Sequence, residues 1–241
     1  MAIDLQFVAE TGSTNADLIA RLSGGEHVAE GLWLVADRQT RGKGRQGRTW
    51  LDASGNFMGS TVVRLSEHDP APHTLTFVAS LAVYETVLPL LPTPSALQLK
   101  WPNDVTLRGD KFCGILLERT KDNAVIGIGV NLAAAPEVPA RKARTLAEQG
   151  PAPDRDAFAA ELAENFDREL ARWREFGLDP ILRRWQSAAH PFGTKLVVHD
   201  ASGAWVSGIF DGLEPDGAMR LRLEGGEMRA IHAGDVELEA G

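Results

Sequence analysis

The chain has one cysteine, Cys113, in 241 residues, so no internal disulfide can form. It also lacks an excess of positive charge. With 25 Lys and Arg against 33 Asp and Glu, its net charge of −8 argues against bulk attraction to nucleic acid or anionic lipid. No apolar run reads as long enough to span a bilayer. The opening MAIDLQFVAETGSTN has no basic region followed by an apolar one, so it is not a secretory signal. A soluble protein of the cytoplasm, without a membrane partner, is the expectation. The six histidines are scattered with no HExxH pair and no cysteine cluster, which speaks against structural zinc. There is no GxSxG elbow for a serine hydrolase and no GKS or GKT to close a phosphate loop. Low-complexity tracts and internal repeats are absent too. What remains is a chain that is 44% hydrophobic, long enough for one large domain or for one large and one small.

Within this acidic chain, TRGKGRQGRTW, residues 40 to 50, packs Arg41, Lys43, Arg45 and Arg48 among three glycines with no acidic residue. Glycines let consecutive backbone N–H groups converge on an anion, and guanidinium forks match phosphate or carboxylate oxygens. Such a segment should be poorly ordered until an anion neutralises it. A solvated surface loop and a nucleic-acid contact are the alternatives. In KWPND, residues 100 to 104, the proline forces a turned or extended backbone. Asn103 and Asp104 are thereby set at a strand end, where they could face a ligand; a turn with Trp101 plugging the core is the other reading. Lys111 precedes the apolar run of KFCGILLE, with Gly114 where backbone may need to come close to something. It is a solvated edge lysine or a group that neutralises charge on a transferring phosphoryl. Cys113 reads as a core residue, because apolar neighbours raise a thiol pKa. GIGVN ends an apolar strand at Asn131, whose amide can both donate and accept.

Patterning places these motifs. DLQFVAE, GLWLVADRQ, GNFMGSTVVRL, LQLKWPNDV, KFCGILLERT and AVIGIGVNL read as strands, with turns such as RGD and KDN. ADLIARL reads as a short helix that Ser13, Thr14 or Asn15 could cap and Gly24-Gly25 closes. Residues 75 to 88 read as a central buried helix, and AAAPEVPA as a loop. DAFAAELAENFDRELARWREFG reads as an amphipathic helix with Phe158, Leu162, Phe166, Leu170 and Trp173 on its core face. After HPFG, residues 190 to 193, four short strands and tight turns at ASG, PDG and GG suggest a small, partly closed β-barrel. The expected division is a large mixed α/β domain over 1–190 and a small β domain over 191–241.

Taken in order, GSTN, ADRQTRGKGRQGRTW, KWPND, KFCGILLE, GIGVN and the terminal β module resemble biotin protein ligases over about residues 6 to 240. The resemblance implies an α+β fold: a mixed-sheet catalytic domain like that of class II aminoacyl-tRNA synthetases and biotin–lipoate ligases, then a small SH3-like β-barrel. It implies a ligase that activates biotin with ATP and Mg2+ to biotinyl-5′-adenylate. Biotin then passes to one lysine of a biotin carboxyl carrier protein, that of acetyl-CoA carboxylase or a related carboxylase. On this resemblance Lys111, Arg45 and Arg48 are catalytic. Ser13, Thr14, Asn15, Gln39, Gly42, Lys43, Arg45, Lys111, Gly114 and Gly129 line the biotin side. Arg45, Arg48, Trp50, Lys100, Asn103, Lys111 and Asn131 take the nucleotide, and Asp104 is the candidate for metal. The common loop reads GRGRRGR; here Lys43 keeps a charge but not the fork, and Gln46 loses a charge, so weaker phosphate affinity is expected. Some relatives carry an N-terminal winged-helix domain; the early start of the catalytic motifs leads us to expect a ligase only, with no DNA binding, and by analogy a homodimer. The competing expectations are a lipoate or other acyl-adenylate ligase of the same fold, and a non-catalytic biotin-binding relative.

Overall fold

The computed structural model describes residues 3–51, 53–136, 142–200 and 205–238. Strands β1 (Asp4–Thr11), β2 (Leu32–Gln39), β3 (Phe57–Arg64), β4 (Leu97–Lys100), β5 (Asp104–Leu107), β6 (Asp110–Arg119) and β7 (Asn123–Val130) form one sheet. Its order is β1-β2-β3-β7-β6-β5-β4. Only β1 and β2 pair in parallel; every other neighbouring pair is antiparallel, which makes the sheet mixed. The parallel pair requires a crossover, and α1 (Thr14–Ser23) supplies it. Ser13 caps that helix, accepting from the Ala16 amide, and Gly24 ends it.

Helix α1 covers one face of the sheet, packing Leu18 against Leu32, Leu34, Val62 and Val125. Helices α2 (Leu75–Val87), α3 (Arg155–Phe176) and α4 (Leu178–Ala188) cover the other, in one large core with Trp33, Phe57, Phe112 and Ile126. The sandwiched position of α2 explains its composition, since a helix buried all round is apolar all round. With its short extensions it makes a 19-residue run, Pro72–Leu90, long and apolar enough by length and composition to cross a membrane. This corrects the reading that no run reaches that length; most of it is buried inside the protein. The five apolar positions predicted for α3 are all buried, as is Cys113.

Three other expectations change. LQLKWPNDV is a hairpin, not one strand: β4 turns at residues 101–103 into β5. Residues 178–188 form α4, which the sequence reading left unassigned; Pro180 lies in its first turn, where the missing N–H has no helical partner anyway. EMRAIHAGDVEL divides into β11 and β12, with a bend at His232 and Ala233 between them. Among the described residues the C-terminal module therefore has five strands: β8 (Lys195–Asp200), β9 (Trp205–Leu213), β10 (Met219–Arg222), β11 (Met228–Ile231) and β12 (Gly234–Leu238). They form an antiparallel sheet in the order β11-β10-β9-β8-β12, consistent with an SH3-like small domain. The turn expected at ASG, residues 201 to 203, lies outside the described residues, as do 137–140 of the expected AAAPEVPA loop.

The two sheets share one continuous apolar core. The tip of the β4–β5 hairpin is the wedge between them: Trp101, in a cis peptide with Pro102, is buried and donates its indole N–H to the Gly217 carbonyl at 3.1 Å. Gly217 sits at φ 88°, and a β-carbon there would strike the Phe77 ring. The reading of Trp101 as a core plug holds. Trp101 plugs the core while Asn103 and Asp104 face the other way, into the site.

Candidate active site

A cavity of about 440 Å3 opens on the α1 face and runs across the sheet from β2 and β3 to β5 and β6. Its floor is backbone. Gly114 on β6 and Gly127 and Gly129 on β7 all point to this face, where side chains alternate with a period of two. A β-carbon on Gly129 would collide with the Trp50 indole, and one on Gly127 with the Asn15 amide; on Gly114 it would lie 3.0 Å from Trp50 and 3.3 Å from the Lys111 ammonium. Larger residues would fill the space a ligand could use.

One end of the cavity is polar and buried. Ser13, Thr14 and Asn15, at the start of α1, are buried with Gln39 from the end of β2 and Ser60 from β3. The Thr14 amide donates to Gln39 Oε1 at 2.8 Å; the Thr14 and Ser60 hydroxyls meet at 2.6 Å, and Ser60 donates to Asn15 Oδ1 at 2.6 Å. The middle of the cavity is cationic. Lys111 Nζ donates to Asp104 Oδ1 at 2.6 Å across the β5–β6 hairpin. Arg45 donates to Asn103 Oδ1 at 2.8 Å and to the Gly234 carbonyl at 3.4 Å. Burial pulls its guanidinium below the usual arginine range, and Arg48 adds to this; Asp235 and Asp104 oppose it. Asn103 is oriented in turn by donating to the Ile115 carbonyl at 2.5 Å. Toward Asn131 the cavity holds two buried polar atoms without partners among the described residues, Trp50 Nε1 and Asn131 Oδ1.

The basic glycine segment arches over these groups with its own hydrogen bonds. Trp50 N–H donates to the Gly42 carbonyl at 2.9 Å and Gly44 N–H to the Arg48 carbonyl at 2.7 Å. Arg48 pairs with Asp235 at the start of β12, and also donates to Gln46 Oε1 at 2.9 Å. Gln46 itself has φ 55°, which asks for a residue tolerant of left-handed backbone. The expected ligand anion thus has protein counterparts already: one arginine is held by a carboxylate and one by neutral oxygens.

The predicted residues converge on this cavity with two exceptions. Gly42 shapes the loop behind Trp50, whose carbonyl would lie 2.7 Å from a Gly42 β-carbon. Lys100 ends β4 outside the lining and lies near His190. Cavity-lining residues that the sequence reading missed include Ser60, Gly127, Lys142 and Asp235. Ser60 had a signal: it is the one polar residue between Met58 and Val62 on an otherwise apolar strand face. Asp235, far away in the chain, had none.

Residues 13–131 match the Biotin/lipoate A/B protein ligase family, and residues 201–239 match the Biotin protein ligase C terminal domain. A biotin–acetyl-CoA-carboxylase ligase of Mycobacterium tuberculosis is 36% identical over 236 residues, 96% of this chain and 88% of that protein. The chain belongs to the biotin protein ligase family. The corresponding ligase of Paracoccus denitrificans is also 36% identical, over 95% of this chain and 98% of its own. In three dimensions the chain resembles the biotin protein ligase from Aquifex aeolicus in complex with biotin and ATP, with a TM-score of 0.85 and 28% identity over 99% of both chains. As a biotin protein ligase fold, the chain places its basic loop, glycine floor and small-domain edge around a single cavity.

Proposed function

We propose that the protein is a biotin–carrier protein ligase. A carboxylate oxygen of biotin attacks the α-phosphorus of ATP and pyrophosphate leaves, giving biotinyl-5′-adenylate. The amine of a lysine on the biotin carboxyl carrier domain of acetyl-CoA carboxylase, or a related carboxylase, then attacks the acyl carbon. AMP leaves and the new amide nitrogen loses a proton. The observation that carries this reading is one cavity with a buried polar end, a cationic middle and an aromatic–amide end.

Each end has a chemical task. The hydroxyl and amide groups of Ser13, Thr14, Gln39 and Ser60 suit a ureido ring, which has two N–H donors flanking one carbonyl acceptor. Lys111 and Arg45 flank the point where the carboxylate and α-phosphate meet, two anions that repel unless cations lie between them. Lys111 exchanges Asp104 for those oxygens. Trp50 offers a ring face and Asn131 Oδ1 an acceptor to an adenine and its amino group. The arch of Gly42 to Arg48 excludes water from the mixed anhydride. Magnesium is commonly held by one or two carboxylates plus substrate phosphates. Asp104 and Asp235, the carboxylates lining the cavity, fit an ion that arrives with the triphosphate, and no cluster of three or more His, Cys, Asp or Glu exists among the described residues. When bound, the ion would neutralise charge on the departing pyrophosphate.

The test uses purified protein, biotin, magnesium and ATP labelled at the α-phosphate. Labelled biotinyl-adenylate is expected, and none when lipoate replaces biotin; an adenylate formed only with lipoate would overturn the reading. Lys111→Ala should cut adenylate formation by about 10²–10³-fold, the usual cost of removing one preorganised donor, while biotin binding stays measurable. Unchanged turnover would remove Lys111 from the catalytic group.

A further inference from the structure

Asp235, which lines the cavity and pairs with Arg48, is also the first member of a row across the small sheet. Its cross-strand partner on β8 is His199, and the partner of His199 on β9 is Trp205. Directly opposed residues of antiparallel strands project to one face. Leu196 and Val198 turn into the core, so His199 and its row face outward. Each strand adds about 5 Å, which sets Trp205 about 10 Å from Asp235. Its ring lies against that of His199, with centroids 4.8 Å apart and planes at 31°, and is still 62% exposed. Leu51, a lining residue, is 42% exposed and gives the mouth a second apolar contact. Lys43 and Lys142, exposed in the lining, make the rim basic although the chain carries −8 overall. Other exposed apolar side chains are remote or covered. Leu90 and Phe176 end helical segments on the opposite face of the large sheet, and the Arg155 guanidinium sits over Phe7.

We infer that the outer face of the small sheet, centred on Trp205, is a docking surface for the biotin carboxyl carrier domain during biotin transfer. The inference rests on the ligase reading, which requires a carrier lysine to reach an acyl carbon inside the cavity. A lysine side chain is short, so the backbone that bears it must lie against the mouth. A specific interface covers roughly 800 Å2 on each partner, so a domain seated there extends past Asp235 onto the row behind it. Trp205 then becomes the buried aromatic anchor, already held in place by the His199 ring. The partner chemistry follows from the surface it meets. An apolar patch beside the acceptor lysine covers Trp205, and carboxylates of the carrier face Lys43 and Lys142. Biotin and ATP have no need of Trp205 or His199, since both lie outside the cavity lining.

The experiment separates the two half-reactions in wild type, Trp205→Ala, Trp205→Glu and Trp205→Phe, with thermal unfolding to confirm that each variant folds. Adenylate formation is followed with biotin and labelled ATP. Transfer is followed to two acceptors: the purified carrier domain of the same organism's acetyl-CoA carboxylase, and hydroxylamine, whose nitrogen attacks the same acyl carbon and displaces AMP. Trp205→Ala and Trp205→Glu should raise KM for the carrier about tenfold or more, the cost of losing an aromatic anchor. Trp205→Phe keeps a ring face and should retain most of the affinity. Adenylate formation and transfer to hydroxylamine should not change in any variant. A carrier KM within twofold of wild type in both Trp205→Ala and Trp205→Glu would overturn the assignment, and so would an equal slowing with hydroxylamine. Sedimentation provides a further check: a wild-type dimer that Trp205→Ala breaks, with the carrier KM unchanged, would give the surface to a second copy of the chain instead. Wild-type protein that forms no adenylate, or forms it and transfers to no carrier, would sink the ligase reading itself, and this inference with it.

Discussion

His190 stands at the seam between the two sheets, 4% exposed and stacked on Phe210 with ring centroids 4.4 Å apart. Neither ring nitrogen has a partner among the described residues. Burial, with a smaller contribution from Lys100, pulls its pKa down to about 4. The sign follows directly. Above the ordinary histidine value near 6.5 the ring is neutral in the folded and unfolded chain alike, and nothing is lost. As the pH falls from there, only the unfolded chain takes up the proton, and stability drops until the folded pKa is reached. The interval corresponds to ~3 kcal/mol. Urea unfolding at pH 7 and pH 4.5 should show this component of the acid loss in the wild type and not in His190→Phe, which keeps the stack. An equal pH dependence in the two proteins would show that the ring is not buried neutral. Asn103 makes a contrasting case: it is buried with its amide satisfied on both sides, by the Ile115 carbonyl and the Arg45 guanidinium, and so holds that cation in place.

At the scale of elements, the cavity floor depends on what β6 and β7 leave out. Glycine weakens a strand interior, because it costs more entropy and packs nothing. Gly114, Gly127 and Gly129 are kept where Trp50 and Asn15 lie against bare backbone. Gly129→Ala should push the Trp50 indole off its seat and raise KM for ATP about tenfold, in line with the cost of overpacking by one methyl. Thermal stability should change little, since alanine is the better strand residue and Trp50 is only half-buried. Steady-state kinetics in ATP checks this; an unchanged KM would mean that the floor does not set the position of the indole. Much at this scale could be read from residues alone. Alternation in DLQFVAE and apolar, β-rich composition between turns in the others identified the six runs of the large sheet, and the stripe from Phe158 to Trp173 identified α3. Helix α4 was missed because Pro180 and the neighbouring Gly177 look like a breaker, although Ile181, Leu182, Trp185 and Ala188 carry helical spacing. The β11–β12 break was missed because His232 and Ala233, which form the bend between the strands, carry no turn chemistry.

At the scale of the whole molecule, the small sheet reaches the active site through β12. Gly234 offers its carbonyl to Arg45, and Asp235 pairs with Arg48. Motifs could reveal the cationic partners of these contacts, since Arg45 and Arg48 sit in a conspicuous string. They could not reveal the acceptors, which lie almost two hundred residues away and are brought there only by the Trp101 wedge and the shared core. The Arg48–Asp235 pair is partly exposed, so its removal should change global stability by less than ~1 kcal/mol. Its effect should be local. In Asp235→Asn, amide hydrogen exchange over residues 43–49 should quicken in the ligand-free protein while the melting temperature barely moves. Identical exchange in the two proteins would show that the loop owes its conformation to its own hydrogen bonds alone.

The cavity owes its depth to three omitted side chains, and this makes its tolerance to change one-sided. Elsewhere in the core a bulky neighbour can shrink to make room for a larger one. Where the surface is already bare peptide there is nothing left to trim, so any replacement for Gly114, Gly127 or Gly129 can only subtract from the volume available to a guest. That wall cannot retreat: a side chain added at Gly127 or Gly129 moves Asn15 or Trp50 instead of enlarging the cavity.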